Sequence, residues 1–331
     1  MINDWQFHLS SEKSIVSGVT VSEGYELRVG IVGGGAVGTL LAYALNLSGI
    51  KPFVIYRSKA KKSRRSREGL RLQVTSSGGS VVYQVNAYHI TYDELPDNFL
   101  DILLIATKAY DIREALLSIV PALSDNAVAI SCQNGLWSLE LLEKVLGKEK
   151  SAALILNAGV YEVDEVTYSL AGCGSSYLGQ HCRPQPWLMK VAEILHFLNI
   201  KVVDDVEGYR WLKLIVNSAI NPLTAILRAK NSIIIDNPLV GKLAAKVVLE
   251  GWLVSRELGI TLPRNPIIEL INVAAATGEN YSSMYQDVIK GRRTEIDYIN
   301  GAIVEIGERV GVNTVLNKVL TLLIKSIEGR G

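Results

Sequence analysis

Cysteine is scarce in this chain: Cys132, Cys173 and Cys182 are the only three in 331 residues. A sparse, odd count does not build the disulfide framework of a small secreted domain, and it fits a reducing compartment. A cytoplasmic protein is therefore expected, with pairing of Cys173 and Cys182 left open. His181 stands beside Cys182, but one histidine and two cysteines do not complete a tetrahedral zinc site, so no metal is expected. Cys132 lies in an apolar run and reads as a core residue.

An excess of one charge is also missing. Thirty-four Lys and Arg stand against 33 Asp and Glu, a net charge of +1, which gives no indication of nucleic-acid steering by the whole surface. No long apolar run is uninterrupted. The most apolar stretch, residues 212–227, contains Lys213, Asn217, Asn221 and Pro222, so no membrane-spanning helix is expected. The first residues carry Asp4, Glu12 and Lys13 with no continuous apolar block, so a signal peptide is not expected either. Hydrophobic residues make up 48% of the chain and the mean hydropathy is +0.22. That is ample for a large core, and at this length two domains are the default.

Residues 1–26 read as an N-terminal extension, with only weak alternation over 15–21. A short apolar run at 27–32 leads into a glycine turn, a helical pattern at 39–47 closed by Gly49, and a second strand at 52–56. Further strand-like runs follow at 81–90, 102–106, 127–131 and 152–156, with helical stretches at 112–123 and 136–146. The alternation predicts a parallel, doubly wound sheet. Residues 161–179 alternate in polarity and suggest antiparallel edge strands. A helix is expected at 186–198 and a short strand at 201–203. Beyond Tyr209 the period is helical, with helices expected at 208–226, 236–258, 266–277, 281–290, 295–310 and 314–327. The fold class is thus an α/β Rossmann-type N-terminal domain, 27–205, followed by an all-α C-terminal domain, 206–331.

The turn reads Gly33-Gly34-Gly35-Ala36-Val37-Gly38. Glycines at the first, third and sixth positions fit a dinucleotide fingerprint. Gly33 permits the tight turn, Gly35 lets the backbone approach a pyrophosphate, and Gly38 allows close helix–sheet packing. At the end of the second strand an acidic residue would bind the ribose 2′-hydroxyl of NAD. This chain has Arg57 there, whose guanidinium can grip a 2′-phosphate, so NADP is expected. Arg57, Lys59, Lys61, Lys62, Arg64, Arg65, Arg67 and Arg71 crowd together with only Glu68 against them. They read either as a solvated loop or as the surroundings of that phosphate.

Lys213, Asn217 and Asn221 are spaced i, i+4, i+8 in an otherwise apolar helix and share one face. The stripe faces either solvent or a polar cleft. In a desolvated cleft the lysine has a lowered pKa and can protonate the oxygen of a ketone receiving hydride. Ser283 and Asp287 are also i, i+4. Thr294 to Asp297 reads as a helix start with Thr294 as the cap, so spacing alone makes Glu295 an outward, dipole-favoured surface carboxylate.

From residue 28 onward the chain resembles the ketopantoate reductase (2-dehydropantoate 2-reductase) family. The resemblance rests on the glycine turn, Ala106-Thr107-Lys108, Gln133-Asn134-Gly135, the stretch from Lys213 through Asn217 and Asn221, Ser282 to Asp287, and Thr294 to Gly301. It implies NADPH-dependent reduction of 2-dehydropantoate to (R)-pantoate, toward pantothenate and coenzyme A. It also implies Lys213 as general acid and Glu295 as the carboxylate that contacts substrate. Asn134 and Lys108 match contacts at the cofactor and active site, Arg57 the 2′-phosphate contact, and Asn217, Asn221 and Ser283 substrate-binding positions. Asp287 aligns with the motif without a clear role. Family members usually begin near the first strand, so the extension is a departure. The partners expected are a small 2-oxoacid and, from the apolar C-terminal helices, a second copy of the chain, with neither nucleic acid nor membrane. One alternative is a reductase of another branched 2-oxoacid on the same fold. A non-catalytic NADP sensor is the other, but it would lack Lys213 and Glu295.

Overall fold

The computed structural model describes residues 26–76 and 79–328. Most of the expected N-terminal extension, 1–25, lies outside the described residues. Strand β1 (Val29–Val32) is wholly buried and runs through the glycine turn into helix α1 (Ala36–Leu47). Strand β2 (Phe53–Tyr56) returns parallel to β1, with Gly30 opposite Phe53, completing the expected βαβ unit.

The basic stretch is not a loop. It forms helix α2 (Lys59–Glu68), with none of its residues buried. Lys, Arg, Ser and Glu all tolerate a helix, Arg64 pairs with Glu68 one turn on at 3.1 Å, and Gly69 closes the helix at φ +74°. Its charges are spent locally: Lys59 lies 3.0 Å from Asp93, Lys62 pairs with Glu94, and Arg64 also pairs with Glu165.

Strands β3 (Leu70–Ser76), β4 (Gly79–Val85) and β5 (Tyr88–Thr91) follow. The single strand expected over 81–90 is therefore two strands, in different sheets. The Asn46 side chain causes the break. It donates to the Asn86 carbonyl and accepts from the Asn86 amide, both at 2.8 Å, and so removes that residue from any ladder.

Next come β6 (Leu100–Ile105), α3 (Ile112–Ile119), β7 (Leu123–Ser131), α4 (Ser138–Leu146) and β8 (Ser151–Ile155). Then β9 (Ala158–Glu162), β10 (Thr167–Cys173), β11 (Ser176–Gly179), α5 (Trp187–Ile194) and β12 (Ile200–Val202) complete the N-terminal part. The main sheet has the order β12-β11-β8-β7-β6-β1-β2-β5 and is parallel except where β11 meets β8. A second sheet, β4-β3-β10-β9, was not expected. In it β10 runs parallel to β3 and antiparallel to β9, and it packs on α1. All three cysteines are free, so Cys173 and Cys182 do not pair.

The rest is helical: α6 (Val206–Leu227), α7 (Ile233–Asp236), α8 (Pro238–Glu257), α9 (Pro266–Ala276), α10 (Ser283–Ile289), α11 (Asn300–Val310) and α12 (Val315–Ile327). Asp205 caps α6, and Asn237 and Asn265 cap α8 and α9 just ahead of a proline. Trp211, Ile215 and Ala219 put α6 at the centre of this second core. Among the described residues no helix is long and apolar enough to cross a membrane.

Candidate active site

The glycine turn has the geometry its spacing predicts. Gly33 has φ +101°, and a Cβ there would lie 3.0 Å from the Ala106 carbonyl oxygen. A Cβ on Gly38 would sit 1.8 Å from the Gly33 oxygen, so nothing larger fits. Around Gly35 no atom lies within 4 Å of a Cβ position, which leaves open space beside the start of α1. Among the described residues no side chain caps α1, so its first amides can meet an anion. Arg57, at the end of β2, is 63% exposed and rests 3.3 Å from Glu114 and 3.6 Å from Asp111.

A polar cluster joins the sheet domain to the helical region. Glu295 is 6% exposed, not an outward surface group. Its Oε1 accepts from the Ala109 amide at 3.0 Å, its Oε2 accepts from Asn134 Nδ2 at 3.4 Å, and Lys108 Nζ lies 3.8 Å from Oε2. The helix expected from 295 is also interrupted. A single 3-10 turn covers Ile296–Tyr298 and α11 begins only at Asn300. The chain bends there because Thr294 caps the Ile296 amide while Glu295 turns inward to donors of the sheet domain. Lys108 also donates to Asp287 Oδ2 at 2.5 Å. Burial alone would lower its pKa, but Glu295 and Asp287 together outweigh that and raise it to about 12.

Lys213 behaves oppositely. Its Nζ donates to the Leu156 carbonyl at 2.6 Å. Burial lowers its pKa to about 8, with Glu295 the main opposing influence. Cys132 lies behind it, its thiol pushed up to about 12 by burial and therefore neutral. Of the stripe's other members, Asn221 is buried and Asn217 half-buried, so the solvent-facing reading is wrong. Neither asparagine side chain makes a hydrogen bond among the described residues, which leaves both amides free for a ligand. Ser283 is exposed at the first turn of α10 and likewise makes none; its neighbour Ser282 is the buried cap, bonded to Thr224 at 2.7 Å.

The loop 133–137 is pinned across the cleft. Gly135 has φ +88°, and a Cβ there would come 2.3 Å from the Tyr298 carbonyl oxygen, which also accepts from the Leu136 amide at 3.3 Å. Trp137 follows at φ +80°, a conformation costly for an aromatic residue. Lys108, Asn134, Glu295 and Lys213 are thus brought together, with Asn217 and Asn221 further along α6. Sequence reasoning missed the Leu156 carbonyl, which no side-chain pattern could reveal. It also missed Arg210, three residues before Lys213, although Glu207 and Arg210 form an i, i+3 ion pair that spacing could have flagged.

A Rossmann-type sheet and a helical region that share this polar cleft define a two-part oxidoreductase. Residues 29–182 match the family described as ketopantoate reductase PanE/ApbA, and residues 205–328 match its C-terminal counterpart. The chain belongs to the ketopantoate reductase family. It is 36% identical over 304 residues to the 2-dehydropantoate 2-reductase of Pyrobaculum aerophilum, covering 90% of this chain and 97% of that one. A crystal structure of a PanE/ApbA family ketopantoate reductase from Ralstonia eutropha superposes with a TM-score of 0.80 at 27% identity, over 92% of this chain and 99% of that one. D-mandelate dehydrogenase in a ternary structure with NADH and anilino(oxo)acetate superposes with a TM-score of 0.79 at 26% identity, again over 92% and 99%.

Proposed function

We propose that this oxidoreductase uses NADPH to reduce 2-dehydropantoate to (R)-pantoate, on the way to pantothenate and coenzyme A, in the cytoplasm. The observation that carries the reading is Lys213: its pKa is lowered by burial to about 8, it feels the charge of Glu295, and it lines one cavity with Gln133 and Asn134. Gly33, Gly35, Ala36, Val37 and Gly38 would hold the pyrophosphate, Arg57 the 2′-phosphate, and Lys108 and Asn134 the nicotinamide end. When bound, the reduced nicotinamide supplies a hydride. Lys213 then donates its proton to the carbonyl oxygen of the ketone, and the ammonium stabilises negative charge there as it forms. Glu295 accepts a hydrogen bond from the substrate hydroxyl. Asn217, Asn221 and Ser283 bind the rest of the ketoacid. The division of labour follows the chain, with residues 27–205 holding cofactor and residues 206–331 holding substrate and forming a homodimer.

A second reading is reduction of a different 2-oxoacid with the same machinery. The likeness to D-mandelate dehydrogenase, whose ternary structure contains an aryl-amino oxoacetate, favours keeping it. A panel of 2-oxoacids, with NADPH oxidation followed by absorbance, separates the two. The proposal expects 2-dehydropantoate to have the highest kcat/KM, and a preference for an aryl oxoacid would overturn it.

A further inference from the structure

One turn before Lys213 on α6 stands a charged group that the scheme above does not use. Arg210 is 6% exposed. Its two terminal nitrogens donate to the two carboxylate oxygens of Glu140 at 2.9 and 3.0 Å, and Nη1 also donates to Glu207 at 2.6 Å. Glu207 accepts from Trp211 Nε1 at 2.8 Å, and its other oxygen lies 2.8 Å from His181 Nε2. The opposite ring nitrogen of His181 lies 3.0 Å from Glu143. Burial pushes the Glu207 carboxyl up, but His181 and Arg210 outweigh it and hold it near 2. Glu207 therefore stays charged between its two cationic neighbours. Glu140, His181 and Glu207 could together offer ligand atoms to a metal ion, but the guanidinium already sits among them as the cation.

What this network joins matters more than its strength. Glu140 and Glu143 belong to α4, which begins immediately after the loop carrying Asn134. Arg210 and Glu207 belong to α6, which carries Lys213. Gln133, Asn134, Ser138, Arg210 and Lys213 line one small cavity. The Arg210–Glu140 fork is thus a strut between the Asn134 loop and the lysine. A misplacement of about 1 Å in such a gap costs on the order of 10² in rate. A planar guanidinium bonds both oxygens of one carboxylate through a rigid fork and still reaches a second carboxylate, a fixed geometry that a rotating ammonium does not impose.

We propose that Arg210 is a positioning residue for Lys213, and that its clasp on Glu140 sets the distance between the proton donor and the Asn134 side of the cleft. The inference rests on Lys213 being the general acid. The test uses Arg210→Lys and the milder Glu140→Gln, assayed with NADPH and 2-dehydropantoate, alone and in a Lys213→Ala background. Each single change is expected to lower kcat about 10- to 100-fold while NADPH affinity, measured by fluorescence titration, is kept. In the Lys213→Ala background Glu140→Gln should lower kcat by less than about twofold, because a missing acid cannot be misplaced. The same loss with and without Lys213, or wild-type kcat in Glu140→Gln, overturns the proposal. If Lys213→Ala alone keeps its turnover, the acid assignment fails first and is seen to fail by itself.

Discussion

Arg57 and Glu295 show how differently single residues can be read. Arg57 sits at the end of β2 with its guanidinium 63% exposed, paired among the described residues with Glu114 and Asp111. Surface pairs of this kind contribute about 0–1 kcal/mol, so releasing them for a phosphate costs little. A charge-assisted contact to a 2′-phosphate is worth about 1.5 kcal/mol at such exposure. Arg57→Ala should therefore raise KM for NADPH about tenfold and leave KM for NADH nearly unchanged. Steady-state kinetics with both cofactors checks this, and an equal effect on the two would contradict the assignment. The glycine turn and the place of Arg57 at the end of β2 were legible because each is local, set by backbone in one case and strand position in the other. Glu295 was not. Its partner Ala109 is 186 residues away, and spacing around Thr294 says nothing of an amide so distant.

At the scale of elements, period carried most of the information. The βαβ unit, the run of helices and the shared face of Lys213, Asn217 and Asn221 all follow from spacing, and on α6 the stripe is half-buried at Lys213 and Asn217 and buried at Asn221. Three readings failed for physical reasons. Helix α2 lacks an apolar face, so no hydrophobic period marks it. The break between β4 and β5 depends on a distant asparagine. The second sheet is assembled from strands far apart in the chain, β3 and β10. The surfaces of α8 and α12 bear on assembly. Leu239, Leu243, Leu249 and Leu253 follow one face of α8, and Val315, Val319 and Leu322 one face of α12, all exposed in the single chain. Apolar stripes of this kind mark interaction surfaces. Sedimentation should give a mass about twice the 36.2 kDa of the chain, and Leu253→Glu should shift it toward monomer. A monomer at micromolar concentration would contradict the dimer.

At the scale of the whole molecule the proposal divides the site between two regions: the glycine turn and Asn134 on the sheet side, Lys213 and Glu295 on the helical side. The contacts between them, Lys108 with Asp287, Asn134 with Glu295 and Arg210 with Glu140, hold the cleft in register. The assignment of Lys213 as proton donor is open to direct test. An ammonium must be protonated to donate, and burial lowers the Lys213 pKa from 10.5 to about 8. Its acid form is complete well below that value and is lost as pH rises through it. The most direct measurement is kcat for 2-dehydropantoate against pH, in the wild type and in Lys213→Ala, with NADPH binding measured in parallel. With Lys213 as the acid, the wild-type rate is expected to fall above about pH 8. The variant is expected to be about 10²–10⁴-fold slower, to lack this limb and still to bind NADPH. Near-normal turnover in Lys213→Ala, or the same alkaline limb in both proteins, would contradict the assignment.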